Sequence, residues 1–107
     1  MNSSRVKGFH TLSPLQRAVR GLGELSDDQV AQLSSGGITV SDATTLVEDV
    51  IGVMGFPVAL VPNFLINDHD TFVPLATEEP SVVAACANGA RLALEGGGFT
   101  VTHSPNI

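Results

Sequence analysis

At Phe56-Pro57 the hydrophobic pattern of this chain changes period, and that change limits the fold more than any other feature. Before it, apolar residues recur three and four apart between glycines, the spacing of short amphipathic helices. After it, residues 58–66 and 71–75 read as two strand-like runs joined by Asn67, Asp68, His69 and Asp70, the pattern of a hairpin. Pro62 and Pro74 fall inside those runs and predict edge positions or bulges, because proline has no N–H to give a ladder. A chain that passes from helices to a hairpin and back to a helix belongs to the α+β class.

Capping chemistry places the helices. Ser13-Pro14 opens the first, with serine as N-cap and proline at the first helical position; it runs through Arg20, and Gly21 and Gly23 end it. Ser26-Asp27-Asp28-Gln29 is a capping box that starts a second helix ending at Gly36-Gly37, with Leu25, Val30 and Leu33 as its apolar edge. A third begins near Ser41-Asp42 and carries Leu46, Val47, Val50, Ile51 and Met54 as a stripe expected to be buried, weakened slightly by Gly52. A longer alanine-rich helix enters through Pro80, continues to Glu95 and is closed by Gly96, Gly97 and Gly98; residues 99–102 read as a terminal strand. Residues 1–12 read as an extended basic arm.

The 107 residues suffice for one domain, and a hydrophobic content of 43% argues for a folded core. With no Trp or Tyr and five Phe, that core is built from Val, Leu, Ile and Ala. The net charge of −6 makes nucleic acid or an anionic membrane surface a poor partner. The basic residues are nevertheless clustered: Arg5, Lys7, Arg17 and Arg20 precede position 21, and Arg91 alone follows. The single Cys86 excludes an internal disulfide and reads as a core residue. No metal is expected, since Asp68, His69 and Asp70 are consecutive turn residues that rarely converge on one ion. Gly21-Leu22-Gly23 follows no strand and lacks a third glycine, so it is not a dinucleotide-binding loop. The first ten residues have no apolar signal core and no apolar run, 58–61 included, is long enough to span a bilayer, so a cytoplasmic protein is expected.

The stretch Thr77-Glu78-Glu79-Pro80-Ser81 sets two carboxylates where strand gives way to a helix free of charge until Arg91. The helix N-terminus favours the ionised form of Glu79, whereas burial and the like charge of Glu78 favour the proton. Were Glu79 buried against Val82, Val83 and the hairpin, desolvation would win and leave an acid able to donate a proton near neutral pH. The alternative is a pair of glutamates that only complement the helix dipole.

The run from Phe72 through Thr77-Glu78-Glu79-Pro80-Ser81-Val82-Val83-Ala84-Ala85, with Phe64-Leu65-Ile66-Asn67 before it, resembles the bacterial and archaeal class II 3-hydroxy-3-methylglutaryl-CoA (HMG-CoA) reductases. Glu48-Asp49-Val50-Ile51-Gly52 is similar to that family's Glu-Asn-Val-Ile-Gly, and Gly8-Phe9 with Leu12-Ser13 and Gly97-Gly98-Phe99 match in collinear order. The resemblance implies the N-terminal portion of the large, substrate-binding domain, and an interconversion of HMG-CoA with mevalonate and coenzyme A using NADH or NADPH, in a homodimer. It implies that Glu79 is the catalytic proton donor or relay and that Ser81 contacts the hydroxymethylglutaryl group, the alternative for Ser81 being a bond to local backbone. Glu48 would lie in the substrate-proximal, dimer-contact motif, although Asp49 replaces the family's asparagine. The leading segment would meet coenzyme A phosphates through Arg5, Lys7 or His10, the last standing where some relatives carry arginine; a solubilising arm is the alternative. Arg91 holds a position where the family has lysine or arginine, and could instead pair with Glu95.

The family's catalytic lysine, aspartate and late histidine have no matching position in these residues, and His103 lies beyond the matched motifs. The cofactor-binding domain is expected to be absent, so that the 107 residues form a fragment inactive by itself. The alternative is a non-catalytic CoA-binding, partner-binding or dimerisation module. Either way, apolar surface from Val58 to Leu75 is expected to be exposed in the isolated piece.

Overall fold

The structure, a computed structural model, describes residues 4–105; residues 1–3 of the leading arm and 106–107 lie outside it. Helices α1 (Pro14–Leu22), α2 (Asp27–Ser35) and α3 (Val40–Leu46) precede strands β1 (Val58–Ile66) and β2 (His69–Ala76), and helix α4 (Val82–Leu94) follows. This is the α+β order expected. Each of the first three helices opens on a capping box: Ser13 with Gln16, Ser26 with Gln29, and Thr39 with Asp42.

The strands pair antiparallel from Val58 opposite Ala76 to Ile66 opposite His69. The turn is therefore tighter than expected, with only Asn67 and Asp68 between strands, at φ 49° and 64°. Left-handed backbone at both positions gives the sense of twist a two-residue hairpin needs, and Asn and Asp tolerate it best after glycine. Pro62 sits at the expected bulge: the register shifts between Val61 and Phe64, and Asn63 adopts φ 77°. Asn63 uses that irregularity to tie three elements together. Its backbone N–H donates to Ser4 O at 3.0 Å, and its Nδ2 donates to Ala87 O of α4 at 3.1 Å.

The core lies where α4 crosses β1 and the leading segment crosses the hairpin. Val61 and Ala90 are fully buried, and Phe9 packs on Phe72 with ring centroids 5.1 Å apart. The leading segment is thus not simply extended. Gly8 turns left-handed, residues Phe9–Thr11 form a 3-10 turn, and Ser4 is sealed from solvent with its hydroxyl on Phe64 O at 2.9 Å.

The third helix, the terminal strand and the exposed apolar surface differ from expectation. The third helix stops at Leu46, and its expected buried stripe is bare: Leu46 is 70%, Met54 84% and Ile51 fully exposed. Thr44 and Thr45 bond back to Ser41 O and Asp42 O, and Asp49 turns left-handed at φ 58°. With Gly52 and Gly55 beyond and no neighbouring element covering the stripe, nothing outweighs those local preferences. The terminal strand is reduced to one parallel bridge, Ile66 to Phe99. There Phe99 N–H donates to Leu65 O at 2.8 Å, and Asn67 brackets Val101 through both its Oδ1 and Nδ2. Of the apolar surface expected to be exposed from Val58 to Leu75, Val58 is exposed while Leu65 and Leu75 are half-buried, and most of the exposed large apolar side chains, including Leu15, Leu22, Leu33 and Val40, precede β1.

Candidate active site

The two glutamates lie where β2 hands over to α4. Thr77 N–H donates to Pro57 O at 3.1 Å, extending the ladder one step past Ala76, and Thr77 Oγ1 then accepts the Glu79 N–H at 3.2 Å. Those two bonds fix the backbone from which Glu79 projects. Its side chain is exposed, so the burial against Val82, Val83 and the hairpin on which the raised-acid expectation depended is not provided by these residues.

Ser81 is the N-cap of α4, yet it has φ 75° and makes no side-chain capping bond. A serine in the left-handed region costs about 1–2 kcal/mol, and such strain is characteristic of functional sites. The helix that follows has no acidic residue in its first turn, so its N-terminal partial positive charge faces the junction without an internal counter-charge on the helix itself. The junction thus combines a hydroxyl on strained backbone, two exposed carboxylates and a helix N-terminus, a set that can hydrogen-bond the oxygens of a ligand.

The other expected residues lie elsewhere. Arg5 Nη2 is 3.1 Å from Asp70 Oδ1 and its Nε 3.2 Å from the same atom, a half-exposed pair on the turn side of the hairpin. Thr77 stands seven residues along from Asp70, which at strand rise is about 20 Å. His10 lies exposed on the 3-10 turn, where its carbonyl accepts from Arg17 Nη1 at 3.2 Å. Arg91, in the last turn of α4, donates to Asn88 Oδ1 at 2.8 Å rather than pairing with Glu95. Glu48 is exposed in the turn that ends α3. No three His, Cys, Asp or Glu side chains converge as metal ligands among the described residues, and no helix there is long and apolar enough to cross a membrane. Sequence reasoning missed Asn63 and Ser4, which anchor the leading segment; a buried serine and a bulge asparagine carry no local signal of their distant partners.

Residues 15–106 match the family model for hydroxymethylglutaryl-coenzyme A reductase. The chain is 42% identical over 98% of its length to the 3-hydroxy-3-methylglutaryl-coenzyme A reductase of Archaeoglobus fulgidus, of which it spans 24%. It superposes on the 3-hydroxy-3-methylglutaryl-coenzyme A reductase of Streptococcus pneumoniae with a TM-score of 0.71 and 36% identity, covering 87% of this chain and 23% of that one. A class II form of the streptococcal enzyme bound to NADPH matches equally, with 26% of its chain covered.

Proposed function

We propose, since the chain belongs to the hydroxymethylglutaryl-coenzyme A reductase family, that it supplies the proton-handling and substrate-gripping part of a reductase that interconverts HMG-CoA with mevalonate and coenzyme A. The observation that carries this reading is Ser81, held left-handed and uncapped beside Glu79 at the start of α4. In the reductive direction Glu79 donates its proton to the substrate carbonyl oxygen as negative charge develops there, and takes it back in the reverse. Ser81 Oγ–H donates to the hydroxymethylglutaryl portion. The α4 N-terminus stabilises the oxyanion. Because Glu79 is exposed in this chain, its desolvation falls to bound substrate and to a surface outside these residues.

Arg5, Lys7, His10 and Arg91 would meet the phosphates of coenzyme A. A basic segment docked some 20 Å along the hairpin from the glutamates suits a long ligand with anionic groups at one end and a carbonyl at the other. The hydride comes from NADH or NADPH. These residues do not fit that cofactor: Gly21 lies within α1, Gly23 caps it, and neither follows a strand. Glu48 and the bare segment after α3 would face the twofold partner of a cytoplasmic homodimer.

The test is a chimera in which these 107 residues replace the matching segment of the Archaeoglobus fulgidus enzyme. It is expected to oxidise mevalonate with NAD(P)+ in the presence of coenzyme A, whereas the 107 residues alone give nothing above background. Glu79→Gln is expected to lower kcat by about 10²–10⁴, the usual contribution of a general acid, and Glu78→Gln by far less. A folded chimera in which Glu79→Gln left kcat unchanged would remove the proposed role.

A further inference from the structure

We infer that the cleft between the end of α1 and the start of β2 binds a small, singly charged oxyanion through Arg20. The cleft measures about 380 Å³ and is lined by Arg20, Gly21, Gly23, Asp70, Thr71 and Phe72. That is room for about ten waters, and so for a phosphate or carboxylate group. Among the described residues, the Arg20 Nη1 is buried without a hydrogen-bond acceptor. A guanidinium already stripped of water on one side has lost solvation that an incoming oxyanion replaces with a charge-assisted bond.

Charge balance decides the sign of the ligand. Asp70 is the carboxylate lining the cleft, and it is already engaged by Arg5 at 3.1 Å and by the Ser4 hydroxyl at 3.3 Å. Arg5 and Asp70 cancel, leaving Arg20 as a surplus positive charge. Two features oppose tight binding: the carbonyl end of α1, in whose last turn Arg20 sits, and the residual field of Asp70. The site therefore suits a single charge held weakly, in the millimolar range. This assignment does not rest on the reductase reading and concerns the turn end of the hairpin, opposite the end that leads to Glu79 and Ser81.

The experiment titrates the 107-residue chain with inorganic phosphate, and in parallel with acetate, at constant ionic strength and pH 6, following backbone amide and arginine Nε–H signals by NMR. Saturable shifts confined to residues 20–23 and 70–72 are expected. Saturation by phosphate alone assigns a phosphate group and saturation by both assigns oxyanions generally; saturation by neither overturns the proposal. Arg20→Gln is expected to weaken binding at least about tenfold, as loss of a charged hydrogen bond implies. Asp70→Asn, which removes the opposing charge, should tighten it about threefold. Should that variant release the leading segment, Arg20→Lys, which keeps the charge and loses the fork, provides an intermediate loss on an intact fold. Unchanged binding in Arg20→Gln, or shifts centred on Lys7 and His10, would overturn the site.

Discussion

Gly97 and Gly98 both hold left-handed backbone, at φ 95° and 81°, yet a methyl group would be felt very differently at each. At Gly97 it would meet nothing within 4 Å; at Gly98 it would lie 2.4 Å from Leu65 O and 2.8 Å from Leu65 Cβ. Gly97→Ala is therefore expected to cost only the left-handed penalty of about 1 kcal/mol, whereas Gly98→Ala adds overpacking against backbone for a total of about 3 kcal/mol. Urea unfolding of the two variants side by side checks the difference; equal midpoints would refute it. The sequence showed three glycines closing a helix, which is their common use, and hid that the last of them is where the chain presses on β1. The place of Glu79 and Ser81 between β2 and α4 was legible for the opposite reason: a strand run giving way through Pro80 to an alanine-rich helix is a local signal. The burial expected of Glu79 was not legible, because burial depends on what lies across the junction.

Helix α3 shows how capping and packing divide the control of an element. Its start is local: the Thr39 N–H donates to the Asp42 carboxylate at 3.0 Å while the Asp42 N–H donates to Thr39 Oγ1 at 3.0 Å. The bond from the Thr39 N–H, and then that from its hydroxyl, holds the Asp42 carboxyl below the usual carboxylate value. A carboxyl depressed in the folded state contributes stability above its unfolded value and loses it as pH falls through the folded one. The α3 amides are thus expected to keep constant exchange protection down to about pH 4 and to lose it below, with Asp42→Asn removing the dependence; a loss of protection that persisted in that variant would contradict the assignment. The end of α3 is set by absence of packing, which no periodicity in the sequence reveals. The two strands were legible because strand residues signal themselves within a few positions, whereas the turn was not, because His69 and Asp70 carry turn propensity and yet pair in the ladder.

Among the described residues sixteen large hydrophobic side chains are exposed and only Phe9, Ala43, Val61 and Ala90 are buried apolar ones. The accessible surface is 8204 Å², against about 5,700 Å² for a self-contained domain of 11.1 kDa. The Cα radius of gyration is 16.6 Å, where about 13 Å is usual for this length. An excess of about 2,500 Å² is the size of an obligate interface, and much of it lies on α1, α3 and the segment before β1. The 107-residue chain is accordingly expected to elute in size-exclusion chromatography above its monomer mass and to bind a hydrophobic dye. A dye-silent monomer would show that the apolar faces close on one another. The anchoring of Ser4 has a consequence for biosynthesis. Its partners Asn63, Phe64 and Asp70 follow it by about sixty residues, so on a ribosome adding about 5–20 residues per second the leading segment waits several seconds for its dock to be made. During that interval the apolar side of α1 is already synthesised and has no hairpin to lean on, so the nascent leading segment carries exposed apolar surface until residues 63–70 emerge.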